Sequence, residues 1–178
     1  MKKQLLLLAL ISMFIAVGCK KDDETPVTPT ASDPIVATWV SEGLNVPLGL
    51  RSAPFKVKKI VATFNSNKSY SVVQTDSANV NTTFTGTITT NESANTDTAS
   101  ASLTKGAKIN NIVANQATPS AVTSTGIFAI SGANMTYEII QTTPALSGVS
   151  APTAAGGFGS TTIAGVKYSI YIQKYVKQ

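Results

Sequence analysis

The side chains that ordinarily carry catalysis are sparse in this chain of 178 residues, which has no His, one Cys and nine Asp and Glu together. Without an imidazole there is no Ser-His-Asp or Cys-His relay, no His-ligated metal, and no group whose ordinary pKa lies near neutrality. One Cys permits neither an internal disulfide nor a thiolate zinc centre. Asp22, Asp23 and Glu24 cluster near the N-terminus, and the remaining acids are Asp33, Glu42, Asp76, Glu92, Asp97 and Glu138. No two of these are spaced to aim a carboxylate pair at one substrate bond. The stretch 91–97 offers side-chain oxygens at alternate positions, as a calcium loop does, but has neither the central Gly nor the closing Glu. With 24 Thr and 18 Ser, a hydroxyl near a Lys is expected by coincidence. No nucleophile elbow and no phosphate-cradling Gly loop occurs. The sequence therefore predicts no enzyme, no cofactor, no metal and no catalytic residue.

Arg51, Lys56, Lys58 and Lys59 form a basic cluster, with Lys56 and Lys58 expected on one face of a strand and Lys59 on the other. Such a cluster suits contact with glycolipid phosphates or an acidic surface glycan. It also suits the protection of an edge strand, which is the favoured reading. The formal charge is only +5, and no basic stripe interleaved with aromatics appears, so nucleic acid is not an expected partner.

The N-terminus has a layout of its own. Lys2 and Lys3 precede an apolar run of 13 residues over 5–17, and Ala16-Val17-Gly18 leads into Cys19. A charged start, a short apolar core and small residues before a cut make a secretory signal peptide. The run is shorter than the roughly 20 residues that a spanning helix needs. The stretch resembles the lipobox of bacterial lipoproteins, and the resemblance implies cleavage after Gly18 and lipid attachment at Cys19. Each buried methylene is worth about 0.8 kcal/mol, so three acyl chains of the palmitate kind would hold the protein on a membrane without a second signal. Lys20-Lys21-Asp22-Asp23-Glu24 follows. It is similar to the export signal of surface lipoproteins in the Bacteroidetes, which implies an outer-membrane protein exposed at the cell surface; a solvated spacer is the alternative.

Behind this leader the chain divides into a signal peptide over 1–18, a lipidated flexible tether over 19–33 and a β domain over 34–178. Pro and Thr dominate 25–33 and favour extended backbone. Fully drawn out, the 15 residues of the tether reach roughly 50 Å.

Beyond it Thr is abundant, helix formers are scarce, and about nine short stretches have strand character, which predicts an all-β domain. Over 81–91, Thr83, Thr85, Thr87 and Thr89 alternate with Phe84, Gly86 and Ile88. A second alternation over 98–104 sets Ala99, Ala101 and Leu103 opposite hydroxyls. Near the C-terminus Tyr168, Ile170 and Ile172 are expected on one face of a strand, with Ser169, Tyr171, Gln173 and Tyr175 on the other. Turn chemistry marks 65–68, 91–97, 105–106 and 131–134. Short connections between 56 and 142 imply an antiparallel meander, since parallel neighbours need longer crossovers. The stretches 41–54 and 143–162 read as long irregular loops whose role is open.

Trp39 within Asp33-Pro34-Ile35-Val36-Ala37-Thr38-Trp39-Val40 is followed by Ile60-Val61-Ala62-Thr63-Phe64, the Asn-rich turn 65–68 and Ser69-Tyr70. Over these roughly 40 residues the chain resembles bacterial lipocalin-like lipoproteins. The resemblance implies a meander closing into a lipocalin-like barrel of about eight to nine strands, with Trp39 sealing one end; a β-sandwich is the alternative. It also implies a binding module that holds a small apolar or amphipathic ligand, for which Phe84, Ile88, Leu103, Tyr168 and Ile170 are the candidate lining. A filled core with function on the outer surface is the rival reading. Finally, Asp76-Ser77-Ala78 and Asp97-Thr98-Ala99 resemble the acceptor pattern of Bacteroidetes O-glycosylation, which makes Ser77 and Thr98 candidate glycan sites.

Overall fold

Alternating apolar and polar residues give a strand one face for the core and one for solvent, and stretches of this kind recur along the chain. The computed structural model describes residues 33–100 and 102–178. The expected signal peptide, Cys19, the acidic block and all of the expected tether but Asp33 lie outside the described residues. Seven strands follow one another as a meander: β1 Ala37–Glu42, β2 Val57–Phe64, β3 Ser69–Asp76, β4 Asn81–Thr96, β5 Lys108–Thr118, β6 Val122–Ser131 and β7 Asn134–Thr143. The last strand, β11 Gln173–Lys177, pairs with β7 on one side and with β1 on the other, closing an antiparallel barrel of eight strands. Three short strands, β8 Val149–Ser150, β9 Thr162–Ile163 and β10 Val166–Lys167, form a separate small sheet. The fold is thus the closed meander expected from the sequence, and closure excludes the sandwich.

The register sets the inward column. Trp39 lies opposite Ala62, Phe64 opposite Tyr70, Val72 opposite Phe84, Ile88 opposite Ala114, and Phe128 opposite Tyr137. One end is sealed. The Trp39 indole N–H donates to the Ile35 carbonyl at 2.8 Å, and both side chains are fully buried. Asp33 binds the start of the domain to this end by accepting from Lys68 Nζ at 2.7 Å, Thr90 Oγ1 at 2.7 Å and the Ile35 amide at 3.2 Å. Strands approach closely at Gly126 on β6, where an added Cβ would lie 2.2 Å from the Glu138 carbonyl oxygen. Glycine there permits the tight coiling that closure requires.

A second layer covers part of the barrel's exterior. Ile109, Ile127 and Ala129 point outward from β5 and β6 and pack with Ala154, Ala107 and Phe158. Glu138, on the outward face of β7, is fully buried; its carboxylate accepts from the Gly159 amide at 2.6 Å, Thr161 Oγ1 at 2.5 Å and the Thr161 amide at 3.2 Å. The 143–162 stretch is therefore clamped to the barrel wall by one acidic side chain.

Four local expectations need correction. The stretch 98–104 is not a strand: the Asp97 carboxylate accepts from the Ala99 amide and from Thr104 Oγ1, while Ser102, Thr104 and Thr136 hydroxyls bond one another. Short hydroxyl side chains thus satisfy a loop instead of a ladder. The turn expected over 91–97 begins only at its last residue, because β4 continues to Thr96. Residues 168–172 precede the last strand: the Ile170 carbonyl accepts from Gly49 and the Ser169 carbonyl from Ile172. Lastly, β2 has a partner on each side, so its lysines protect no edge. The turns over 65–68, 105–106 and 131–134 stand where expected.

Candidate functional site

Inward side chains leave a cavity of about 200 Å³ in the barrel lumen. Tyr70, Val72 and Gln74 of β3, Phe84 and Ile88 of β4, Gln116 of β5, Ser124 of β6, Tyr137 and Ile139 of β7, and Gln173 and Tyr175 of β11 line it, together with Ile60, Phe64 and Leu50. None of these residues is charged. The Tyr137 and Tyr175 rings meet edge-on, with centroids 6.0 Å apart. Burial pushes both phenols well above the ordinary tyrosine range, helped secondarily by Tyr70 at Tyr137 and by Tyr137 at Tyr175, so both stay neutral. The Gln173 amide lies near the Tyr175 hydroxyl and offsets part of that rise. Gln173 Nε2 itself is buried and makes no closer hydrogen bond among the described residues.

The opposite end from Trp39 is the mouth. After β1 the chain makes a 3-10 turn over Gly43–Asn45 and then one helical turn, α1 Leu48–Arg51. The Gly49 amide donates to the Ile170 carbonyl at 3.0 Å, and Arg51 Nε donates to the Val46 carbonyl at 2.8 Å. A Cβ on Gly49 would sit 3.3 Å from the Tyr171 ring, so a small residue lets α1 lie flat on the 168–172 segment. Outside α1 runs an apolar groove of about 650 Å³, lined by Leu48, Phe55, Ile140, Leu146, Ile170 and Tyr171 among others. Leu50, Ile139 and Gln173 border both the lumen and this groove, so α1 lies beside both.

The rim carries exposed apolar side chains, with Leu44 84% exposed and Phe55 58%. Arg51, Lys56 and Lys58 lie beside them around a shallow depression. Their arrangement differs from the expected strand alternation. Lys56 has φ 50° and precedes β2, and a register shift between Val57 and Lys59 leaves Lys58 out of the ladder, bonded to Asn79 Oδ1. Lys59 pairs with Glu42 at 3.5 Å.

Of the candidate ligand residues, Phe84 and Ile88 meet in the lumen. Ile170 lines the groove instead. Leu103 and Tyr168 are exposed outside the barrel, because the two stretches that carry them are loops. Sequence reasoning missed Tyr70, Val72, Gln74, Gln116, Ser124, Tyr137, Gln173 and Tyr175. Their signal was present: Tyr70, Val72 and Gln74 recur at every second position, and so do Gln173 and Tyr175. The sequence reading places those last two on the face opposite to the ligand, because it extends the strand back to Tyr168 and takes Tyr168 and Ile170 as facing inward, whereas the strand begins at Gln173.

Ser77 and Thr98 are exposed at turns, each following an Asp whose carboxylate caps the turn: Asp76 accepts from the Ala78 and Val80 amides, Asp97 from Ala99. Among the described residues no three His, Cys, Asp or Glu side chains gather as a metal site, and no helix is long and apolar enough to cross a membrane. Comparison of the chain with protein families, curated proteins and solved structures finds no match.

Proposed function

We propose that the chain is a lipid-anchored, lipocalin-like binding module of the bacterial outer membrane, displayed at the cell surface and holding a small, largely apolar ligand in its barrel. The observation that carries this reading is the charge-free lumen of about 200 Å³ with convergent phenol and amide groups. Ligand sites are commonly apolar with a few placed polar groups, and a cavity of about 150 Å³ is large enough for benzene. A single substituted ring is the fitting size. Asp33, where the described residues begin, lies at the sealed end.

The deciding experiment titrates benzyl alcohol into the full-length Cys19→Ser chain and follows lumen methyl signals, Ile88 and Ile139, by NMR. Saturable shifts are expected, and their loss in a lumen-filling Ser124→Phe variant. Equal binding by the filled variant would reject the lumen as the site. The anchor is tested separately: Cys19→Ser releases the protein from membranes, and replacing Asp22, Asp23 and Glu24 by Ala lowers access to external protease without loss of lipid.

A further inference from the structure

A second cleft, of about 300 Å³, shares no lining residue with the lumen. Its floor is the outer face of the barrel wall. Thr136 of β7 and Lys174 of β11 lie opposite each other in register, and they alternate with Tyr137, Gln173 and Tyr175, which line the lumen, so both point outward. Leu44, Leu48 and Arg51 border the cleft from the segment after β1, Ser102 from the 98–104 loop, and Phe158 and Ile172 from the stretches before β11. Arg51 and Lys174 are half-buried, and no Asp or Glu lines the cleft beside them. Neither cation makes an ion pair among the described residues. The acids of neighbouring segments are engaged elsewhere: Glu42 with Lys59, Asp97 with Thr104 and the Ala99 amide, Glu138 with Gly159 and Thr161. Arg51 uses Nε on the Val46 carbonyl, which leaves its terminal nitrogens to donate to something else. A cleft lined by charge of one sign and backed by a low-dielectric wall concentrates counter-ions. A bare anion would leave the apolar part of the lining uncovered, above all Leu48, Phe158 and Ile172. The volume is about twice the ~150 Å³ that holds benzene, which leaves room for a short apolar body behind a charged head. We infer that this cleft binds an anionic amphiphile, a carboxylate on a short alkyl or aryl body, with the carboxylate at Arg51 and Lys174 and the body against Leu48, Phe158 and Ile172. Walls drawn from separate segments make it a concavity for one molecule rather than a face for a bilayer. It is a site apart from the lumen and stands whether or not the lumen holds a ligand.

Octanoate, octan-1-ol and octylammonium share one body and differ in charge. Each is titrated into the full-length Cys19→Ser chain at low salt, with the Leu44, Leu48 and Ile172 methyl signals followed by NMR. At these methyls octanoate is expected to bind about tenfold more tightly than octan-1-ol, and octylammonium not at all. High salt should weaken octanoate but not octan-1-ol, since only the charged head is screened. Arg51→Gln and Lys174→Gln are each expected to lower octanoate affinity about fivefold, and Lys174→Arg to retain it. The lumen-filling Ser124→Phe variant should bind octanoate as before. Equal affinity for octanoate and octan-1-ol, or octanoate shifts confined to Ile88 and Ile139, overturns the inference and leaves the lumen reading untouched. Sedimentation of the chain with phosphatidylglycerol vesicles, with no octanoate bound at the cleft, assigns the basic and apolar rim to a bilayer and overturns it as well. The comparison of probes on the unsubstituted cleft decides the matter even where a variant fails to fold.

Discussion

At the Trp39 end of the barrel Ile35 and Trp39 are covered and Asp33 pairs with Lys68; at the α1 end Leu44, Leu48 and Phe55 are exposed and Arg51, Lys56 and Lys58 are brought together. Ile35 and Trp39 are fully buried, and Asp33 ties the β2–β3 turn and β4 together through Lys68 and Thr90. Around the mouth Leu44, Leu48, Phe55 and Leu146 are all at least 43% exposed, and one helical turn rests on the 168–172 segment. Dense packing concentrates stability at the sealed end, and a sparsely packed segment opens at low cost. On the proposed reading, this division lets the barrel admit a molecule without unfolding, with the sealed end holding the strands in register while α1 yields.

The sharpest way to break the comparison is to remove the seal. Trp39→Ala deletes a fully buried ring and leaves the Ile35 carbonyl without its donor. A loss of about 3–5 kcal/mol is expected in urea unfolding. A loss near 1 kcal/mol would mean that the sealed end is no more cooperative than the mouth. The matching change at the other end is Leu50→Ala, on the half-buried face of α1 between lumen and groove. It is expected to cost only about 1–2 kcal/mol, because the side chain is partly solvated. It should also speed benzyl alcohol exchange, read from NMR line shapes. Unchanged exchange would show that α1 is not the barrier to entry.

How far the sequence speaks differs along the same lines. Over 81–91 the alternation of Thr with Phe84, Gly86 and Ile88 identifies both the strand and its inward face, since only one side is apolar. The 65–68 and 131–134 turns declare themselves by Asn and Gly. Closure does not, because pairing of β1 with β11 joins residues at opposite ends of the chain. Nor does the outer layer: Ile109 and Ile127 make outward faces apolar, so alternation ceases to tell inside from outside. The lumen is half legible for the same reason. Phe84 and Ile88 follow from pattern, whereas Gln173 is a polar residue in a polar-looking face, and its burial depends on where β11 begins. Leu103 and Tyr168 mislead because alternation also arises in loops where hydroxyls bond one another or a backbone carbonyl serves a distant amide.

The smallest expected effect sharpens the comparison by pH. Partial burial alone would raise the Asp33 carboxyl, but the bonds from Lys68, Thr90 and the Ile35 amide, with the Lys68 charge, outweigh it and hold the carboxyl below its ordinary range. A carboxyl depressed in the folded state adds stability above its unfolded pKa, and that stability is lost as pH falls through the folded value. Urea unfolding should therefore show a loss on acidification that is absent in Asp33→Asn, and the variant should be less stable by about 1 kcal/mol at neutral pH. The amount is small because Lys68 is 46% exposed and its charge is screened. The trend belongs to the sealed end, so the probe exchange at the mouth should not follow it. If acidification in this range instead changed benzyl alcohol exchange while Asp33→Asn left the unfolding curve unmoved, the two ends would be coupled, and the division between a fixed seal and a yielding mouth would fail.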